Sequence, residues 1–232
     1  MTEVIVSETL AAANARLAAA LRQAGRSADA ARLLAVSKTK PDAMVRDTYL
    51  AGQRDFGENY LQEALDKQEA LADLQDIVWH LIGPLQSNKT RAVAEHFAWV
   101  HSVDREKIAR RLDEQRPDAL PPLNICLQVN VSGEPSKSGV TLDELEPLAA
   151  AVMNMPHLVL RGLMAIPAPA TSFEEQRAPL AALRKALERL QMRYPQAPLD
   201  TLSMGMSDDL EAAVAEGATL VRLGTAIFGA RQ

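Results

Sequence analysis

LLAVSKTKPDAMVRDTYLAGQRDFGENYLQEALDK, residues 33–67, holds two strand-then-helix units in succession. LLAVS (33–37) is a short apolar run, residues 42–51 return to apolar types at helical spacing, RDFG (54–57) is short again, and 58–71 is periodic once more. Short runs alternating with amphipathic segments point to parallel strands covered by helices, because a strand buried on both faces has no polar face to show.

The rhythm continues in both directions. Upstream, residues 7–24 repeat Ala and Leu at helical spacing behind Ser7, a candidate N-cap, so a helix precedes the first strand. Downstream come IVWHLIG (77–83), a helix from Ser87 to His96, WVHSV (99–103) and a helix over 104–115. After Pro121-Pro122 follow LNICLQVNVS (123–132), a helix over 141–154, LVLRGLMAI (158–166) and a helix over 172–193. DTLSMG (200–205), a helix over 208–216 and TLVRLG (219–224) complete about eight strands and eight helices. The fold class read from this pattern is α/β: a single (β/α)8 TIM-type barrel preceded by an N-terminal helix, with residues 1–232 as one domain. An open doubly wound sheet would alternate similarly, but its phosphate fingerprint is a glycine-rich turn after the first strand, and here that turn reads SKTKPD.

Composition narrows the function classes. With 47% hydrophobic and 24% charged residues the chain is globular in type, and its formal net charge of -5 argues against nonspecific nucleic-acid or anionic-membrane partners. Cys126 is the only cysteine, as expected of a reducing compartment, so there is neither a disulfide framework nor a cysteine-based zinc site. No basic, apolar leader is visible and no apolar run approaches the roughly 20 residues that span a bilayer, so a cytoplasmic location is expected. No histidine pair has helical ligand spacing, and no metal is expected.

In such a barrel the site lies at the carboxyl ends of the strands, with phosphate held by the loops after strands seven and eight. The first strand ends at Lys38; an apolar setting there would lower its pKa and leave neutral amine able to attack an aldehyde. On spacing alone, Lys38 and Lys40 read better as solvated loop lysines. After strand seven, LSMGMSDD brings Ser203, Gly205 and Ser207 to the first turn of a helix, where free N–H groups suit phosphate; Ser207 could equally be an N-cap. After strand eight, Gly224 permits close backbone approach and Thr225 adds a hydroxyl, while Arg222 on the strand faces either the mouth or an interior carboxylate. A strand-one lysine together with these two loops is what an aldehyde-bearing phosphate ester requires.

At these residues the chain closely resembles the pyridoxal phosphate homeostasis proteins, the YggS-type family whose single domain is like the N-terminal barrel of alanine racemase (fold-type III). The matching stretches are LLAVSKTKP, AGQRDFGENYLQEALDK, WHLIGPLQSNK, QVNVSGEPSKSGV, RGLMAIPAP and LSMGMSDDLEAAVAEGATLVRLGTAIFGAR, which span nearly the whole chain. The resemblance implies pyridoxal 5'-phosphate (PLP) as cofactor and Lys38 as the aldimine-forming lysine. It implies phosphate held by Ser207 and the Gly224-Thr225 turn with help from the Met206 backbone, Arg222 near the pyridine nitrogen, and Asn59 at the cofactor edge. An arginine beside that nitrogen disfavours its protonation and weakens the cofactor as an electron sink. Lys137, in the loop SGEPSKSG, reads as a second cation near the mouth or as an exposed lysine, and His80 as a packing residue at its strand end.

Two functions compete. A PLP-dependent racemase of low activity would need a second acid/base, which alanine racemase takes from a tyrosine of an added domain. Of Tyr49, Tyr60 and Tyr194 only Tyr60 lies near the expected mouth, and it is read as pointing into the following helix. An open cofactor face also admits water. The preferred reading is a PLP-binding protein that serves intracellular vitamin B6 homeostasis without appreciable turnover, a monomer whose recipients are PLP-dependent apoenzymes, with no residue assigned as catalytic beyond the Schiff-base Lys38. A Schiff-base aldolase would leave Arg222 without its pyridine partner.

Overall fold

A computed structural model describes residues 3–135 and 137–230. Ser136 of SGEPSKSG and Arg231, the last residue of GTAIFGAR, therefore lie outside the described residues. Eight parallel strands close in sequence order: β1 (Arg32–Val36), β2 (Asp55–Glu58), β3 (Val78–Leu81), β4 (Trp99–Val103), β5 (Leu123–Gln128), β6 (Leu158–Met164), β7 (Thr201–Ser203) and β8 (Leu220–Leu223), with β8 pairing back to β1. Closure leaves no sheet edge, which decides against the open sheet. Helices α1 (Val6–Gln23), α2 (Asp42–Leu50), α3 (Leu61–Ala70), α4 (Thr90–His96), α5 (Glu106–Gln115), α6 (Leu142–Met153), α7 (Phe173–Arg193), α8 (Leu210–Ala215) and the short α9 (Thr225–Phe228) cover it.

The main core lies between strands and helices. In α1, Leu10, Ala13, Leu17, Ala20 and Leu21 fall on one stripe at helical spacing and are all buried, so that stripe faces inward while the other faces carry alanines and polar residues. Inside the barrel, Trp99, Cys126 and Met164 form a separate small cluster. Burial pushes the Cys126 thiol up to about 12, which keeps it protonated and unreactive. The β6–β7 seam is tight: a Cβ on Gly162 would fall 1.7 Å from Thr201 O, so only glycine allows that approach.

Several boundaries differ from the sequence reading. Ser7 sits inside α1, whose N-cap is Ile5 with no side-chain cap bond. LNICLQVNVS pairs only as far as Gln128, beyond which a lone bridge joins Val129 to Val140. Ser87–Lys89 is a 3-10 turn ahead of α4, and α9 is an added turn after β8. Ser207 caps nothing: α8 starts three residues later, behind Asp209, and residues 207–209 form a turn in which the Asp209 N–H donates to Met206 O at 3.4 Å. Among the described residues no helix is long and apolar enough to cross a membrane.

Candidate functional site

The loops at the carboxyl ends of the strands enclose a cavity of about 610 Å³. Lys38, Asn59, Met206, Ser207, Arg222, Gly224 and Thr225 all line it, as does Lys137, although they come from five separate stretches of sequence. Lys38, Lys40, Lys137 and Arg222 face only Asp208 and Asp209 there, so the lining carries a surplus of positive charge suited to an anion. Lys40 is tied to Ala230 O at 2.8 Å, and the Lys137 ammonium lies 3.7 Å from Glu134 Oε2. Tyr60, which precedes α3, is half-exposed rather than packed into that helix.

Lys38 stands on a segment gripped from both sides. Lys67 of α3, 6% exposed, uses all three ammonium hydrogens: on Ser37 O at 2.7 Å, on Glu58 Oε1 at 2.7 Å and on Glu63 Oε1 at 2.8 Å. Ser37 Oγ donates to the same Glu58 oxygen at 2.7 Å, and the Thr39 N–H donates to Glu63 Oε1 at 2.5 Å. Thr39 has φ of 65°, unusual for a β-branched residue, and the Glu63 contact holds it there. Residues 37 and 39 are thus pinned by one buried ion-pair cluster, which aims the side chain between them. Burial pushes the Glu58 carboxyl above its ordinary range, against the pull of Lys67. None of Glu58, Glu63 and Lys67 was singled out from sequence; the one available signal is the (i, i+4) spacing of Glu63 and Lys67 on α3.

The anion end of the cavity has donors to spare. Ser207 and Asp208 direct their N–H groups to no acceptor among the described residues, and those of Thr225 and Ala226 lie in the first turn of α9, where no intrahelical acceptor exists. The Met206 N–H, in contrast, is donated to Asp209 Oδ1 at 2.7 Å, and would serve an anion only if that carboxylate let it go. The loop is braced from outside by Arg16 of α1, which donates to Ser207 O at 2.6 Å and to both Glu211 oxygens at 2.8 Å. Asn59 Oδ1 is buried without a partner at the cavity wall, a vacant acceptor that a donor group on a ligand would satisfy. Gly83 supports Asn59 from behind: a Cβ there would meet Asn59 O at 2.6 Å.

Arg222 rises from β8 into the barrel interior and hydrogen-bonds to no carboxylate among the described residues. Its Nη1 donates to Ser203 Oγ at 2.7 Å and its Nη2 to Ala165 O at 2.9 Å, so the interior ion pair left open by the sequence does not form. Burial lowers its pKa to about 10, which still leaves it charged at neutral pH. His80, near the end of β3, does pack, but it is more than a packing residue. It is fully buried, stacked on Trp99 and bonded to both Asp55 and His101. No three His, Cys, Asp or Glu side chains among the described residues are grouped to hold a metal.

The alanine racemase N-terminal domain family matches residues 11–232. The pyridoxal phosphate homeostasis protein of Pseudomonas aeruginosa is 62% identical over 226 residues, 97% of this chain and 96% of that protein. The protein of the same name from Escherichia coli K12 is 53% identical over 228 residues, 97% of each. Among solved structures, PipY of Synechococcus elongatus with PLP bound is 42% identical and superposes with a TM-score of 0.84, covering 97% of this chain and 100% of that one. Alanine racemase from Corynebacterium glutamicum, at 19% identity and a TM-score of 0.69, shares the fold over 96% of this chain but only 60% of its own length. The chain belongs to the pyridoxal phosphate homeostasis protein family, and through its barrel to the wider alanine racemase N-terminal domain family.

Proposed function

We propose that the mouth holds pyridoxal 5'-phosphate, linked covalently through Nζ of Lys38, and that the chain serves vitamin B6 homeostasis rather than turnover. The observation that carries this reading is the meeting, in one cavity, of a clamped lysine, a buried guanidinium and a cup of unspent N–H donors. An aldehyde-bearing phosphate ester uses the lysine and the N–H cup, and a pyridine nitrogen gives the guanidinium its partner. The names of the relatives, and a PipY structure with PLP bound, support the same assignment. When bound, the cofactor supplies an aldehyde carbon for an amine and a ring that can withdraw electrons.

The residues of the chain divide the work. The N–H groups of Ser207, Asp208, Thr225 and Ala226 receive the phosphate, while Asn59 Oδ1 accepts a donor from the ring edge. Arg222 keeps a fixed positive charge in the interior, which disfavours protonation of a nearby ring nitrogen and so weakens carbanion chemistry. The rim stays open, with Ile166 and Met206 44% and 47% exposed, so water is not excluded. Binding without appreciable turnover is the consequence. In this role the chain acts in the cytoplasm as a monomer and passes cofactor to PLP-dependent apoenzymes.

Borohydride reduction of the cofactor-saturated protein, followed by intact mass measurement and peptide mapping, tests the assignment. One adduct on Lys38, absent from Lys38→Ala, is expected; an adduct elsewhere, or none, refutes it. Chiral analysis of alanine incubated with the loaded protein should show no enzyme-like conversion. Racemisation that disappears with Lys38→Ala would make the chain an enzyme.

A further inference from the structure

Behind Arg222 the barrel interior holds a continuous line of polar side chains. Arg222 Nη1 lies 2.7 Å from Ser203 Oγ, Ser203 Oγ lies 2.7 Å from His101 Nδ1, and His101 Nε2 lies 2.9 Å from His80 Nδ1. His80 Nε2 ends the line 2.8 Å from Asp55 Oδ1, and Arg32 Nε meets the other Asp55 oxygen at 3.2 Å. The line starts on β8, crosses to β7, then β4, β3 and β2. A contact between side chains of β7 and β4, which are not neighbours in the sheet, has to pass through the interior of the barrel.

The two ends fix the sense of every bond between them. A guanidinium only donates, so Ser203 Oγ accepts from Arg222 and turns its own hydrogen to His101 Nδ1. An ionised carboxylate only accepts, so His80 carries a hydrogen on Nε2, and with burial disfavouring the charged ring its Nδ1 is left as an acceptor. His101 must then donate from Nε2 and accept on Nδ1. No link is frustrated, and both rings are neutral with the hydrogen on Nε2.

We propose that His101, His80 and Ser203 are positioning residues for the mouth, a one-way hydrogen-bond chain that holds the Arg222 guanidinium in place from Asp55 at the opposite end of the barrel. The proposal rests on the reading that pyridoxal phosphate occupies the mouth, where Arg222 is part of the lining. The charged and titratable groups around the rings agree with neutral imidazoles. His101 is held well below its ordinary value by burial first, then by His80, Arg222 and Arg32. Burial also lowers His80, against the hydrogen bond and charge of Asp55. Asp55 itself, though burial raises it, is brought below its ordinary value by His80 and Arg32. A barrel that only needed filling would have taken apolar side chains at these positions, because buried polar groups destabilise unless every bond is made.

The test has two arms. In the cofactor-free protein, long-range 1H–15N NMR of labelled histidines should show two rings with hydrogen on Nε2 that do not titrate between about pH 5.5 and 8.5, where a free imidazole would. A ring with hydrogen on Nδ1, or protonation of either residue near its ordinary value, overturns the chain. In the second arm, His101→Phe, His101→Gln and Ser203→Ala are saturated with pyridoxal phosphate and the absorbance band of the bound cofactor is recorded. His101→Phe and Ser203→Ala should displace the band alike and not additively when combined. His101→Gln, which keeps a donor and an acceptor, should return most of the way to wild type. An unmoved band in all three variants refutes the positioning role even if the NMR result holds. Should His101→Phe not fold, Ser203→Ala and His101→Gln still decide. Should the wild-type protein show no band at all, the cofactor reading fails and the positioning role falls with it, while the NMR arm still judges the chain of bonds.

Discussion

Replacing Lys67 with methionine should expose how much the segment bearing Lys38 depends on one buried charge. Methionine fills much of the same volume but leaves Glu58, itself fully buried, with Ser37 Oγ as its only hydrogen-bond partner, on an oxygen whose twin already has none. Removing one member of a buried ion pair destabilises by about 3–5 kcal/mol, because the other charge stays desolvated and uncompensated. Glu58 can escape by taking up a proton, which bounds the loss. From an unfolded pKa of about 4.3, protonation at about pH 7.5 requires roughly 3.2 units, or about 4.4 kcal/mol, and at about pH 5.5 only about 1.6 kcal/mol. The sign follows from linkage. With its folded pKa raised above the unfolded one, the variant binds more protons folded than unfolded, so its stability falls as pH rises through that interval. Urea unfolding of Lys67→Met should therefore show a loss of about 3–5 kcal/mol near neutrality that shrinks to about 2 kcal/mol at about pH 5.5, at unchanged slope in urea. Adding Glu58→Gln should recover about 2 kcal/mol at the higher pH, since the stranded charge is gone. A loss under about 1 kcal/mol, or one that does not vary with pH, would refute the account of the cluster.

Three other perturbations probe the rest of the fold. Both interior histidines are depressed by burial, so below about pH 6.5 the unfolded chain takes up protons that the folded one refuses; stability falls on acidification, and His101→Phe should remove about 1.4 kcal/mol per pH unit from that dependence, read from urea midpoints. An unchanged dependence would mean that His101 titrates in the folded protein. Gly162→Ala should lose at least about 3 kcal/mol in urea or fail to accumulate as soluble protein, because its Cβ meets a backbone oxygen that cannot step aside; near-wild-type stability would contradict the β6–β7 register. Arg16→Met should change stability by less than about 1 kcal/mol, since the Arg16–Glu211 pair is half-exposed, yet weaken pyridoxal phosphate binding in equilibrium dialysis by loosening the Ser207 turn; unaltered binding would show that the brace is not needed.

The barrel was legible because its cause is local. Most strands are short apolar runs, β2 and β7 being short without being apolar, and helices repeat their own stripe, as at Leu10, Leu17 and Leu21, so the alternation can be read without knowing any long-range contact. The mouth was legible for a related reason: strand ends are marked in sequence, and residues that follow them converge once the barrel closes. The buried supports were not. Lys67 reaches back 30 residues to Ser37, and His101 reaches 102 residues to Ser203, through pairings fixed by the closed barrel and not by any spacing in the chain. Lys67 reads from sequence as one more polar residue on a helix, and His101 as a polar interruption of WVHSV. The Ser207 turn misled in the other direction. A serine ahead of an apolar helical run has the pattern of an N-cap, but Asp209 takes up the Met206 N–H and the helix waits until Leu210, so Ser207 keeps its own N–H free.

The order of bonds behind Arg222 also bears on why an arginine can be buried there at all. A cation without a carboxylate beside it is stabilised only by dipoles that turn their negative ends toward it. Ser203 Oγ and Ala165 O do so directly. Beyond Ser203, each imidazole presents its acceptor nitrogen toward Arg222 and its N–H toward Asp55, so the dipoles add along the line in place of cancelling. The carboxylate that ends the line, Asp55, lies at the far end of the barrel, and Asp209 at the mouth reaches Arg222 by its charge alone, without a hydrogen bond, so the positive charge that faces a ligand is only partly offset. A carboxylate placed next to Arg222 would also have compensated the cation, but it would have quenched that charge. Ser203→Asp tests the difference by putting a carboxylate at the position where Arg222 already finds a side-chain oxygen: the variant should lose pyridoxal phosphate affinity even where it folds, and undiminished affinity in a folded variant would show that a carboxylate beside Arg222 does not matter.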